Sequence, residues 1–131
     1  MKFVINRNKL TLVSVLVVSI LSFSSVAKSN FTAKELERFS LGPQVNAMIG
    51  YDIRARRIIV EPGAKITQHE HSKTPGIVYV ESGTIVEYRG QQSRQLIAGE
   101  TLIEDANTVH SYQNTSDKPC VLIAIDLPHN L

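Results

Sequence analysis

One cysteine, Cys120, occurs in the 131-residue chain, so neither an intramolecular disulfide nor a paired-cysteine motif can form. It lies in the apolar run Pro119-Cys120-Val121-Leu122-Ile123-Ala124-Ile125, which reads as a buried strand with the thiol as a small core residue. A phosphate-cradling glycine loop is missing, and so is any Ser-His-Asp order. Residues 28–131 contain no internal repeat, linker or low-complexity stretch. Any catalysis must therefore come from another constellation.

An apolar run long enough to span a membrane is also lacking. Residues 10–23 form a run of 14 against the about 20 that a bilayer needs. The run follows a start carrying Lys2, Arg7 and Lys9, and it leads into Ser24-Ser25-Val26-Ala27. A basic start, a short apolar middle and a small-residue exit describe a secretory signal peptide, with cleavage expected after Ala27. An uncleaved anchor is the alternative. The expected organisation is a cleaved leader at 1–27 and one domain at 28–131, in a periplasmic or secreted protein. Loss of the leader removes three cations and no anion, leaving 11 Lys and Arg against 12 Asp and Glu. That balance offers no basic face to nucleic acid, and none to a membrane surface after cleavage. The remaining 104 residues suffice for one core.

Phe31-Thr32-Ala33-Lys34-Glu35-Leu36 has the form of a helix start. Thr32 would cap the amide at Glu35, Glu35 would reach back, and Phe31 would pack on Leu36. Gly42-Pro43 limits this helix to a few residues, and its expected place is an open end of the fold or a second subunit. Beyond it, strands are expected at 51–60, 65–71, 76–81, 84–88, 95–98, 101–104, 109–114 and 120–126, with Gly or Pro punctuation. Many short strands at close spacing predict an all-β barrel or sandwich. Gly76-Ile77-Val78-Tyr79-Val80 is apolar on both faces, with Tyr79 opposite in parity to Gly76. That pattern fits a strand packed between the barrel wall and a neighbouring element or a second subunit, and a homodimer is expected.

Three histidines carry the functional signal. His69 and His71, at i and i+2, project from one side of a strand. His110, from a distant strand, would complete a nitrogen-rich corner suited to a transition metal. The bland alternative is three satisfied barrel histidines without a metal. Parity also places His110, Tyr112 and Asn114 on one face, and turns Glu70 away from the histidines between which it lies. Tyr112 is then the hydroxyl nearest the corner, a donor to ligand or an acid if its pKa were lowered; the alternative is a barrel-lining tyrosine. Leu102 and Glu104 share a face, so Glu104 is either an inward carboxylate beside His110 or an exposed residue in a turn with Asp105. Arg54 and Arg56 share one face and Arg57 takes the other. Inward arginines would favour a carboxylate-bearing substrate, whereas a solvated edge is the commoner arrangement. Asn114 is expected to bond backbone where its strand turns, and His129 to lie in the tail.

The spacings resemble those of the cupin superfamily, and in particular its small single-domain members. Gly63, His69, His71 and Gly83 fall in register on the first cupin motif, and Gly99, His110 and Asn114 on the second. Gly76 stands where the family places a metal-binding glutamate, and Asp105 and Asn107 replace the second motif's proline and glycine. Asn107 is suited to the left-handed conformation that glycine would supply. The resemblance implies a double-sheet, jelly-roll-like barrel with one divalent transition metal on His69, His71 and His110. Fe, Mn, Ni, Zn and Cu all fit such a donor set. With the motif glutamate absent, Gly76 would leave space for substrate or water, and Glu104 becomes the candidate replacement carboxylate. The expected activity is that of an exported metal-dependent dioxygenase, isomerase or lyase acting on a small sugar-acid-like or carboxylate-like molecule, with Tyr112 and Glu104 as catalytic candidates. The alternative is a non-catalytic ligand-binding or structural cupin.

Overall fold

The computed structural model describes residues 30–130; the expected leader and its cleavage point lie outside them. Among the described residues nine strands form two antiparallel sheets: β1 (Phe31–Ser40), β2 (Asp52–Val60), β3 (Lys65–Glu70), β4 (Gly76–Ser82), β5 (Thr84–Arg89), β6 (Gln92–Ile97), β7 (Thr101–Glu104), β8 (Val109–Gln113) and β9 (Cys120–Asp126). One sheet has the order β1-β2-β9-β4-β7 and the other β3-β8-β5-β6. All eight expected strands are present, and the double-sheet barrel is the observed architecture.

The expected N-terminal helix is not there. Residues 31–40 form β1, an edge strand in register with β2 from Phe31↔Val60 to Ser40↔Asp52. A capping box contributes about 1 kcal/mol to a helix. Pairing instead gives β2 a full ladder along an edge that would otherwise be bare, and it packs Phe31 on the core. Leu36 is the extra residue of a bulge, since Glu35 pairs with Arg56 and Glu37 with Ala55. The helical content among the described residues is one three-residue 3-10 turn, Asn46–Met48.

Alternation along the strands sorts the side chains. Ile58, Val60, Val78, Val80, Leu102, Leu122 and Ala124 face inward from the larger sheet, and Ile85, Leu96 and Tyr112 meet them from the smaller. Cys120 is fully buried in this core, where burial pushes its thiol pKa up to about 11 and keeps it a thiol. Asn114 closes one end of the barrel. Its amide nitrogen donates to the carbonyls of Val60 and Lys118, and its oxygen accepts from Ser116 N and Oγ.

The turn before β8 departs from expectation. Asn107 is not left-handed, because no described residue other than glycine has a positive φ. The turn is held by the Asp105 carboxylate, which accepts from Asn107 N at 3.0 Å and Thr108 Oγ1 at 2.9 Å. A side-chain turn of this kind replaces the proline and glycine of the motif.

Candidate metal centre

A β-bulge aims the first two histidines. Ile66 pairs with Tyr112 and His69 with His110, so Thr67 and Gln68 together oppose one residue, Ser111. The bulge lets Ile66 and His69 both face inward although three positions separate them. His71 follows immediately on β3, and its amide still donates to Thr108 O. The chain then turns, with Thr74 N donating to His71 O. His110 arrives on β8 directly opposite His69 and is wholly buried.

One ring nitrogen from each of His69, His71 and His110 lies within 4.8 Å of the others. The second nitrogens are all engaged. His69 Nδ1 is 2.9 Å from Thr67 O, His71 Nδ1 is 3.1 Å from Thr74 O, and His110 Nδ1 is 2.7 Å from Glu87 Oε1. Carbonyls and carboxylates only accept, so each Nδ1 carries the proton and each Nε2 is left with its lone pair. His71 Nε2 and His110 Nε2 lie 3.0 Å apart. Two lone pairs at that distance repel unless a cation sits between them. Adjacent ligand nitrogens bonded to one metal at about 2.0–2.1 Å are separated by roughly 3.0–3.4 Å, so the pair has the spacing of a ligand edge. The three imidazoles therefore fit a transition metal, each held from behind as ligating histidines commonly are.

Glu104 is buried beside this group rather than exposed in the turn. Its Oε1 is 3.4 Å from His110 Nε2 and its Oε2 is 3.6 Å from His71 Nδ1. The Tyr112 hydroxyl donates to Oε1 at 2.8 Å. Burial first, then the adjacent Glu104 charge, pushes the tyrosine pKa upward. The Tyr112 hydrogen bond fixes one oxygen of Glu104. The His110 pKa is lowered, chiefly by burial, which favours the neutral ligand form.

Gly76 has a different explanation from the expected open space. A Cβ there would lie 2.4 Å from Ile125 O and 2.8 Å from both Cα and Cβ of Asp126. Asp126 fills the position, so nothing larger than glycine fits. Glu104 is the cross-strand partner of Gly76, one strand over. The carboxylate absent at 76 is thus matched by one arriving from β7.

Two participants escaped the sequence reading. Glu87 is buried and accepts from both His110 Nδ1 and Arg89 Nε through the same oxygen. Its signal was parity with Ile85, a core residue two positions earlier on β5. Asp126 is also buried, and it binds Arg54 Nε at 2.9 Å, Arg54 Nη2 at 2.7 Å and Arg56 Nη2 at 2.6 Å. Arg54 and Arg56 share a cavity of about 260 Å³ with His69, His71, Glu104 and Tyr112. Arg57 points away, to Glu81. A wider groove of about 490 Å³ beside Arg89 and Ile103 touches the centre only through Glu87. Glu70 is exposed and bonded to Ser72, and His129 stacks on Tyr51.

The profile of the cupin domain family matches residues 56–126, which contain His69, His71, Glu87, Glu104, His110 and Tyr112. This chain is a cupin. Solved structures agree in fold. A cupin domain of an XRE-family transcriptional regulator from Enterobacter cloacae is similar over 73% of this chain and 94% of its own, at 19% identity and a TM-score of 0.56. KdgF from Halomonas matches over 78% and 83%, at 17% identity and a TM-score of 0.60. A cupin-superfamily sugar phosphate isomerase from Silicibacter pomeroyi matches over 69% of each chain, at 21% identity and 0.53. At such identities the likeness of this cupin to them is one of fold alone. No curated protein sequence is similar enough to count as a relative.

Proposed function

We propose that this cupin is an exported, metal-dependent enzyme that binds one divalent transition metal through His69, His71 and His110 and acts on a small oxygenated molecule. The observation that carries the reading is the convergence of one ring nitrogen from each histidine, with every Nδ1 beside an acceptor. When bound, the metal would supply Lewis-acid or redox chemistry at an open coordination position. Glu104 stands close enough to serve as a further donor or to take a proton from bound substrate, and Tyr112 holds its Oε1 in place. Dioxygenase, isomerase and lyase activities are all open to such a set. The basic, apolar and small-residue order of residues 1–27 supports export, with a mature start at Lys28.

Elemental analysis of the purified protein, beside His69→Ala and His110→Ala, tests the centre. About one equivalent of metal is expected, lost in both variants; no metal after anaerobic reconstitution overturns the reading. A Glu104→Gln protein with unchanged metal affinity and unchanged turnover removes Glu104 from the mechanism. Thermal stabilisation by ligands without turnover would favour a binding role instead. Amino-terminal sequencing of the exported protein tests cleavage after Ala27.

A homodimer through the outer face of the larger sheet also belongs to the proposal. Ala55, Ile125, Ile77 and Ile103 are consecutive cross-strand partners there, and Ile103 is 67% exposed. A charge introduced as Ile77→Glu should shift the protein to monomer in light scattering.

A further inference from the structure

The far wall of the metal cavity is lined by two arginines whose donors are not all used by the residues around them. Arg54 and Arg56 both rest on the single carboxylate of Asp126. Two other acids lie on that side: Glu35, the cross-strand partner of Arg56, is bonded through both oxygens to Arg38, and Asp52, two residues before Arg54, is bonded to Arg38 and Ser40. Glu104, across the cavity, accepts from Tyr112 and stands beside His71 and His110. Arg56 Nε is buried with no partner. A buried guanidinium N–H is seldom left without an acceptor, so its orphaning beside a cavity indicates that a ligand atom completes it.

Register explains how this wall was built. Arg54, Asp126, Gly76 and Glu104 form one inward row across four adjacent strands. Strands are about 4.8 Å apart, so the row brings the arginines to within roughly 14 Å of the Glu104 backbone, with side chains reaching inward from both ends. Asp126 can occupy its place only because residue 76 has no side chain. The glycine that removes the family's carboxylate thus admits the one that anchors two arginines.

We propose that Arg54 and Arg56, held by Asp126, are the binding subsite for the carboxylate of an organic acid whose hydroxyl or carbonyl oxygens reach toward His69, His71 and His110. The proposal rests on the metal-centre reading for the second half of that contact, while the arginine subsite stands on its own residues. A planar carboxylate matches the guanidinium fork, and two forks sharing one acid leave donors for it. The 260 Å³ cavity admits a small acid and no polymer interior.

Calorimetry on the full, purified protein, with and without added metal, compares gluconate with glucitol, which differ only by the carboxylate. Gluconate is expected to bind at least tenfold tighter than glucitol. Arg56→Gln should abolish that preference, and Arg56→Lys, which keeps the charge without the fork, should weaken it. An Arg56→Gln/Asp126→Asn pair removes both charges together, guarding against misfolding of the single variant, and should also lose the preference. Equal binding of gluconate and glucitol by the wild-type protein overturns the proposal, as does a preference that survives all three variants. Tighter binding of glucitol 6-phosphate than of gluconate overturns it in favour of a phosphate subsite. Metal content is measured on the same samples. Protein that takes up no metal on anaerobic reconstitution and still prefers gluconate, through Arg56, would overturn the metal reading and uphold the subsite.

Discussion

The two ends of the barrel are built from the same strands and have opposite chemistry. Along β2 the inward residues run Arg54, Arg56, Ile58, Val60, and along β9 they run Asp126, Ala124, Leu122, Cys120. β4 passes from Gly76 through Val78 to Val80, and β7 from Glu104 to Leu102. In the smaller sheet Glu87 gives way to Ile85. One end is apolar and close-packed; the other gathers three histidines, two arginines and the buried acids Glu87, Glu104 and Asp126, with Asp52 at its margin. Buried charges and facing lone pairs oppose folding, so the apolar end must supply the stability that lets the polar end hold its geometry.

That division can be broken from either side. Leu122→Ala should have the largest effect on folding, about 2–5 kcal/mol by denaturant titration, because Leu122 is fully buried in the apolar end. Metal stoichiometry of the folded protein should not change. Gly76→Ala, at the polar end, should cost about 1–3 kcal/mol, since its Cβ meets backbone that cannot move aside. It should also displace Asp126, and with it Arg54 and Arg56, which near-neutral binding of gluconate would report. If Gly76→Ala is as stable as wild type, the explanation given for that glycine fails.

Glu87→Gln sharpens the comparison, for it should leave stability nearly unchanged and act on the centre. Removing the charge behind His110 Nδ1 should lower metal affinity by about tenfold or more, read by competition with a chelator. The smallest effect is expected at Asp52, on the outer margin of the polar end. Its carboxyl is held below the usual range by hydrogen bonds from Asn130, Arg38 and Ser40. A folded pKa below the unfolded value near 4 means stability that is present above that pH and lost as pH falls through the folded value. The melting temperatures of wild type and Asp52→Asn should therefore differ at neutral pH and converge below about pH 4.

Legibility differed between the elements for physical reasons. The eight strands after residue 50 announce themselves through alternation and punctuation, and the three histidines through spacing. β1 misled because a capping box is a local signal, whereas its actual pairing with β2 depends on a partner some 20 residues away. The bulge at Thr67 and Gln68 has no marker in composition, though it decides which way Ile66 points relative to His69. Glu87 and Asp126 looked like ordinary strand acids. Their importance lies in what they touch, His110 in one case and two arginines in the other.

The order of residues alone determined the all-β class, the cupin motifs, the identity of the three imidazoles and the single face shared by Arg54 and Arg56, though not which way that face points. These follow from periodicity, which is a property of neighbours along the chain. Only the tertiary structure decided which nitrogen each histidine turns inward, that Glu104 faces the centre, and that Asp126 occupies the space above Gly76. Those outcomes depend on acceptors, carboxylates and steric contacts brought together from strands up to 72 residues apart. Such contacts come into being only when the two sheets close on each other.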